Sequence, residues 1–139
     1  VAHALGGLTQ KSDKGWGVGR ATVQINSQGV DMLQKLSGQS MDDNSYSIIV
    51  SHQDQVVEPA MGATVLAGND FCPNAMCQVD QHILTFQGHP EFAPEYSREL
   101  LTFRRELIGE AVYQQGIESL QLPLDRQRVA SWIMNFLQD

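Results

Sequence analysis

Basic side chains are scarce: nine lysines and arginines stand against sixteen aspartates and glutamates, a formal charge of −7 over 139 residues. Such a surface on average repels a phosphate backbone or an anionic bilayer, which argues against nucleic acid as a partner. Long apolar runs are missing as well. No stretch approaches the roughly 20 residues a membrane helix needs, and nothing near residue 1 resembles a charged segment followed by a long apolar one. No membrane association is expected, and a soluble, cytoplasmic protein is. Cysteine is limited to Cys72 and Cys77, too few for a disulfide scaffold; both lie in or beside apolar segments, where a reduced, buried thiol is common. A metal site built from His52, His89, Cys72 and Cys77 is the remote alternative, because Cys-x4-Cys lies outside the usual zinc spacings and no paired-histidine motif accompanies it. No metal and no cofactor are expected. Internal repeats, low-complexity tracts and linkers are also absent.

What is present suits a globular core, with 42% apolar and 18% charged residues in a length typical of one domain. Val1 to Leu5 followed by Gly6-Gly7 reads as the last turns of a helix with its glycine stop. No initiator Met and no capping Ser, Thr, Asp or Asn precedes it, so the chain is expected to open inside an element, as a truncated domain would. Ala21, Val23 and Ile25 alternate with polar residues, the period of a half-buried strand. Val30, Leu33 and Leu36 predict one or two helical turns closed by Ser37-Gly38. Further strands are predicted at 46–50, 63–67, 75–79 and 83–87, with a hairpin at Asp80-Gln81. Pro94 opens a predicted helix over 94–114 whose apolar face carries Tyr96, Leu100, Phe103, Leu107 and Ala111. A last helix is predicted from about Asp125, with Val129, Trp132, Ile133, Phe136 and Leu137 as its stripe, and a hinge at 116–123.

Chemistry concentrates at 82–92. Ile83, Leu84 and Phe86 form a short β-rich segment that Gly88 and Pro90 stop, so His89 and Glu91 fall at a strand's carboxyl end, where open α/β sheets bind ligands. A carboxylate near an imidazole fixes its tautomer and steadies its protonated form, which suits general acid/base work; the plainer alternative is a His in a turn with a solvated Glu. Ser51, His52, Gln53 and Asp54 form a second polar cluster after a strand, readable as a site loop or as a turn bonding its own backbone.

Four signals in one order carry a family resemblance: Ala4-Leu5-Gly6-Gly7, Ser51-His52-Gln53-Asp54, Cys72-Pro73-Asn74-Ala75 and Phe86-Gln87-Gly88-His89-Pro90-Glu91. Together they resemble a class I glutamine amidotransferase domain, from residue 1 to about 92 and more loosely into the following helix. The resemblance implies an α/β, flavodoxin-like sandwich with a mixed sheet and carboxy-terminal helices, incomplete here, with residues 1–139 forming a single partial domain. It implies glutamine as the parent substrate. In that family a Cys at a strand-to-helix elbow attacks the carboxamide, a His assists proton transfer and a Glu orients the His. His89 and Glu91 match the last two by motif position. Ser51 to Asp54 fall where the family has a loop bordering the glutamine pocket, which implies a substrate-binding role for that loop.

The family's nucleophile elbow precedes the Ala-Leu-Gly-Gly segment and is not among these residues, and with it go the first strands and the oxyanion-hole amides. Cys72 and Cys77 show no neighbouring cation or helix start that would lower a thiol pKa. Two functions are therefore expected in competition: the carboxy-terminal part of an ammonia-releasing enzyme, inert alone, or a binding or assembly module reusing the fold. In the resembled fold the 83–87 strand lies close to the nucleophile strand. Its uncovered edge predicts a homodimer or larger oligomer, unless the first helix remnant or the Val129 to Leu137 helix folds back over the gap and keeps the chain monomeric.

Overall fold

The computed structural model describes residues 1–138. The chain enters through one 3-10 turn, His3–Leu5, closed by Gly6 at φ 83°, so the glycine stop is as predicted although the turn is tighter than an α-helix. Seven strands and five helices follow among the described residues: β1 Leu8–Lys11, β2 Gly17–Ile25, α1 Ser27–Ser37, β3 Ser45–His52, β4 Asp54–Glu58, β5 Ala63–Gly68, β6 Met76–Val79, β7 Ile83–Phe86, α2 Pro94–Phe103, α3 Arg105–Ile108, α4 Glu110–Ser119 and α5 Arg126–Gln138.

The main sheet runs β3-β2-β5-β6-β7, and β1 and β4 form a separate two-stranded ribbon. Every ladder is antiparallel, so the parallel component of the expected mixed sheet has no counterpart among the described residues, while the α/β architecture stands. The short links explain this for β5, β6 and β7, since a parallel pair needs a crossover of a dozen or more residues. β6 and β7 meet in the expected hairpin, with Asp80 at φ 49° in the left-handed region that Asp tolerates. β2 pairs with β3 along most of its length but with β5 only at Gln24 and Ile25, so the sheet fans and curls.

Both faces of the sheet are covered. Alternation along β3 sends Tyr46 and Ile48 to a core shared with Val23, Leu33, Met76 and, from α5, Val129 and Trp132. Ile49 points the other way, into a second core with Leu101, Ile108 and Leu120. α1 is longer than its apolar spacing predicted because Asn26 caps it: the Asn26 side-chain oxygen accepts the Gly29 N–H at 2.9 Å and its amide donates to Val65 O at 2.7 Å.

The 94–114 helix is corrected by the structure. It breaks at Arg104 and again at Gly109, whose φ of 85° and ψ of 153° no helix contains, into α2, α3 and α4. The predicted stripe does not survive the breaks: Ser97, Leu101 and Ile108 face the core, whereas Tyr96, Phe103 and Leu107 are exposed, Phe103 by 88%. Arg105 re-joins the pieces by donating from Nε and Nη2 to the Glu110 carboxylate at 2.6 Å each. α4 continues to Ser119 with Gly116 buried inside it, so the hinge predicted over 116–123 shrinks to the few residues after that helix. The α5 stripe holds, except that Leu137 is exposed.

Candidate functional site

β7 delivers the chain to Gly88, and this position has room for nothing larger. A Cβ there would lie 2.6 Å from Ile48 Cδ1 and 3.1 Å from Ile49 O, so a side chain would push the loop off β3. The close approach lets the His89 N–H donate to Ile49 O at 2.7 Å, an isolated antiparallel bridge that pins the loop to the neighbouring strand. His89 stacks flat on Phe92, with ring centroids 4.0 Å apart and planes within 6°, and its Nδ1 lies 2.8 Å from Glu91 Oε1. Glu91 is acceptor-only when ionised, so Nδ1 carries the proton and Nε2 is left free to take or give one. The spacing of the Gly-His-Pro-Glu loop and the Phe92 platform thus fix the imidazole's plane and tautomer together.

Burial works to raise the Glu91 carboxyl pKa, but the hydrogen bond from His89, with Glu91's own N–H and the imidazole charge, carries it below the usual carboxylate value. A group so lowered contributes stability that is present above its ordinary pKa and lost as pH falls through the lowered one. Acid titration from pH 7 to 3 is therefore expected to lower the urea midpoint with a component that Glu91→Gln lacks. Identical acid curves for the two proteins would show that the pair contributes nothing.

The 51–54 loop lies along the same strand, since Ser51 and His52 end β3 just beyond Ile49 and Asp54 starts β4. Ser51 Oγ accepts from Arg104 Nη1 at 3.2 Å, and Gln53 O accepts the Ser12 N–H at 2.9 Å. His52 sits opposite Gly17 with both ring nitrogens buried and without a partner. Burial lowers its pKa most, the Asp54 backbone and carboxylate oppose that, and the nearby His89 adds to the lowering, so burial disfavours the charged imidazole. The structure therefore places His52 near His89, while Ser51, one residue back along the strand, faces the other way and bonds Arg104. Asp54 is carried away into the β1–β4 ribbon, where it pairs with Lys11.

A cavity of about 460 Å³ opens against this loop, lined among others by Trp16, His52, Phe71, Cys72, Gln87 and Gly88. Neither thiol is activated there. Burial and the neighbouring Cys77 push the Cys72 thiol up to about 11, and burial raises Cys77 as well. Both are free and buried. Cys72 lies in the loop between β5 and β6 and Cys77 inside β6, so neither occupies a strand-to-helix turn. No group of three or more His, Cys, Asp or Glu side chains among the described residues is arranged to hold a metal ion.

Three supporting residues had no role legible in the sequence: Gln87 and Asn74 stood only as members of motifs, and Arg126 was not marked at all. Gln87 accepts the Val56 N–H at 2.9 Å and donates to Asn74 O at 2.9 Å, while Asn74 donates to Val56 O at 2.9 Å, so the pair buttons the ribbon onto the end of β7. Arg126 reaches from α5 to the carbonyls of Pro90 and Glu91. A short-range pattern search cannot find them, because each acts on a segment at least 13 residues away.

No protein-family model matches the chain. It is similar to gamma-glutamyl peptidase 2 of Arabidopsis thaliana, at 29% identity over 99% of this chain and 55% of that protein. It is also similar to a glutamine amidotransferase-like protein of Gibberella zeae, at 28% identity over 95% of this chain and 52% of that one. The glutamine-hydrolyzing GMP synthase of Bacillus velezensis matches at 35% identity over 73% of this chain and 18% of that protein. Among solved structures, a glutamine amidotransferase from Thermotoga maritima superposes with a TM-score of 0.67 at 12% identity, over 98% of this chain and 55% of the other. A glutamine amidotransferase from Methylobacillus flagellatus superposes with 0.64 at 18%, over 96% and 58%. Identities that low show a common fold. The chain spans about half the length of the first two curated relatives. By sequence it is similar to glutamine amidotransferase-like proteins and gamma-glutamyl peptidases, and it shares the fold of the glutamine amidotransferases on which it superposes.

Proposed function

We propose that this chain supplies the proton-transferring half of a site that hydrolyses the γ-carboxamide of glutamine or a related γ-glutamyl amide. His89 acts as the acid/base, taking the proton of an attacking thiol and handing one to the departing amine; Glu91 orients it. His52 borders the substrate. The observation that carries this reading is the 2.8 Å contact between His89 Nδ1 and Glu91 Oε1, on a loop pinned at the end of β7. It has the base-and-orienter geometry that thiol activation requires. The names of the relatives support the substrate class, a γ-glutamyl peptidase and a glutamine-hydrolyzing synthase. The thiol is the piece these residues do not provide, and the chain by itself is proposed to be inert. Its free thiols fit a reducing, cytoplasmic setting.

The test is complementation. An amino-terminal glutamine amidotransferase half carrying an elbow cysteine, fused or added in trans, is expected to restore ammonia release. His89→Ala should then cut kcat/KM by roughly 10²- to 10⁴-fold, the usual weight of a positioned acid/base. Restored turnover indifferent to His89 would overturn the assignment.

One observation favours a second reading, a non-catalytic assembly module. Among the described residues β7 pairs with β6 alone and lies at the end of the sheet, with all its residues half-buried. Two copies related by a two-fold axis present identical edges that pair as one continued sheet. Light scattering at micromolar concentration is expected to give at least twice the monomer mass. A clean monomer ends the edge-pairing proposal.

A further inference from the structure

We propose that Arg126 is the positioning residue of the His89–Glu91 pair, clamping the loop backbone at Pro90 and Glu91 onto the amino end of α5. Its Nε donates to Pro90 O and its Nη2 to Glu91 O, each at 3.2 Å, so one planar fork holds two consecutive carbonyls. The anchor behind it is rigid. Asp125 locks the start of α5 to β3 twice, its N–H donating to Ser47 O at 2.8 Å and its Oδ2 accepting the Ser47 N–H at 2.8 Å. Val129 and Trp132 are buried one and two turns further on, and Trp132 packs edge-on against Tyr46 with centroids 5.7 Å apart.

The loop needs such a hold. On its β3 side it has the His89 N–H to Ile49 O bond and the Phe92 stack, and Pro90 has no N–H to offer. Glu91 is the exposed member, its side chain 64% accessible, and it meets the imidazole only while its backbone is aimed correctly. Without the fork, the carbonyls of Pro90 and Glu91 turn to water and Glu91 swings with them. The consequence is that α5, 36 residues from the loop in sequence and without a motif of its own, sets the tautomer of His89. The functional weight of this inference rests on reading His89 and Glu91 as the acid/base pair. Its geometry does not.

The test uses the whole chain labelled with ¹⁵N and ¹³C. Long-range proton–nitrogen spectra report which ring nitrogen of His89 carries the proton, and the carboxyl carbon of Glu91 reports its titration. The wild-type chain is expected to hold the Nδ1–H form. R126A and R126K should both lower the Nδ1–H to Nε2–H ratio by roughly tenfold, the weight of about one hydrogen bond, and move the Glu91 titration back toward the ordinary carboxylate value. Q127A, on the same helix with its side chain exposed, should leave both readouts at their wild-type values. R126K keeps the charge and the stem, so it separates fork geometry from simple electrostatics and guards against an R126A chain that fails to fold. A wild-type tautomer in R126A, or full rescue by R126K, would overturn the clamp. Neither readout needs turnover, so failure of the complementation assay leaves this test intact.

Discussion

Glutamine incubated with this chain alone is expected to release no ammonia above the uncatalysed rate. Hydrolysis of an unactivated amide at neutral pH needs a nucleophile stronger than water, and an imidazole–carboxylate pair provides only proton transfer. The two thiols present do not fill the gap. With its pKa pushed up to about 11, Cys72 is ionised to about one part in ten thousand at pH 7, and it is 5% exposed. Cys77, 6% exposed, spends its Sγ–H on Asn74 O at 3.8 Å, and neither thiol bonds an imidazole. Members of a nucleophile–base–orienter set act as a unit, so under the proposed reading, in which these residues do not supply the nucleophile, on the order of 10⁶ in rate is lost. A coupled ammonia assay decides the matter. Turnover that vanishes in Cys72→Ser or Cys77→Ser would locate a nucleophile where burial and pKa argue against one.

Gly19→Ala is expected to destabilise the fold by roughly 2–5 kcal/mol, a large share of the 5–15 kcal/mol typical of a domain. Two costs add. Gly19 sits at φ 76°, a conformation that costs a residue with a Cβ about 1–2 kcal/mol. The added carbon would also lie 2.2 Å from Ser119 Oγ, 2.7 Å from Gly116 O and 2.9 Å from Gly116 Cα, and two of those atoms are helix backbone that cannot rotate away. Overpacking of this kind costs about 1–3 kcal/mol. The crowding is mutual, since a Cβ on buried Gly116 would lie 2.9 Å from Val18 Cγ2 and 3.0 Å from Leu101 Cδ1. Ser119 adds to the seam by accepting the Arg20 N–H at 2.9 Å and donating to Gly116 O at 2.7 Å. Gly15 is the control, because it shares the left-handed φ, at 80°, but has no atom within 4 Å of a built Cβ. Urea unfolding should show Gly15→Ala losing only the backbone cost and Gly19→Ala clearly more, with the slope unchanged. Equal losses would mean that the α4–β2 seam is looser than described.

What the sequence by itself determined about this protein is what depends on neighbours a few residues apart. Ala21, Val23 and Ile25 marked β2 because a half-buried strand repeats every two residues, Gly6 marked the end of the first turn, and Pro94 marked the start of α2. The nearness of His89 and Glu91 was legible for the same reason, since they lie two residues apart on one Gly-Pro loop, although what aims one at the other was not. The order of four short motifs carried the family resemblance and, with it, the fold. Tertiary structure alone decided the rest. Asp54–Glu58 pairs with Leu8–Lys11 across more than forty residues, an edge-to-edge choice that no local period encodes. The breaks at Arg104 and Gly109 rotate Phe103 and Leu107 out of a stripe that a continuous helix would have buried, because Leu101, Ile108 and Gly116 must meet β2 and β3 instead. Arg126 became visible only once α5 docked on Ser47 and Tyr46, since a side chain's partners are set by which faces meet in space, and that is a property of the packed chain.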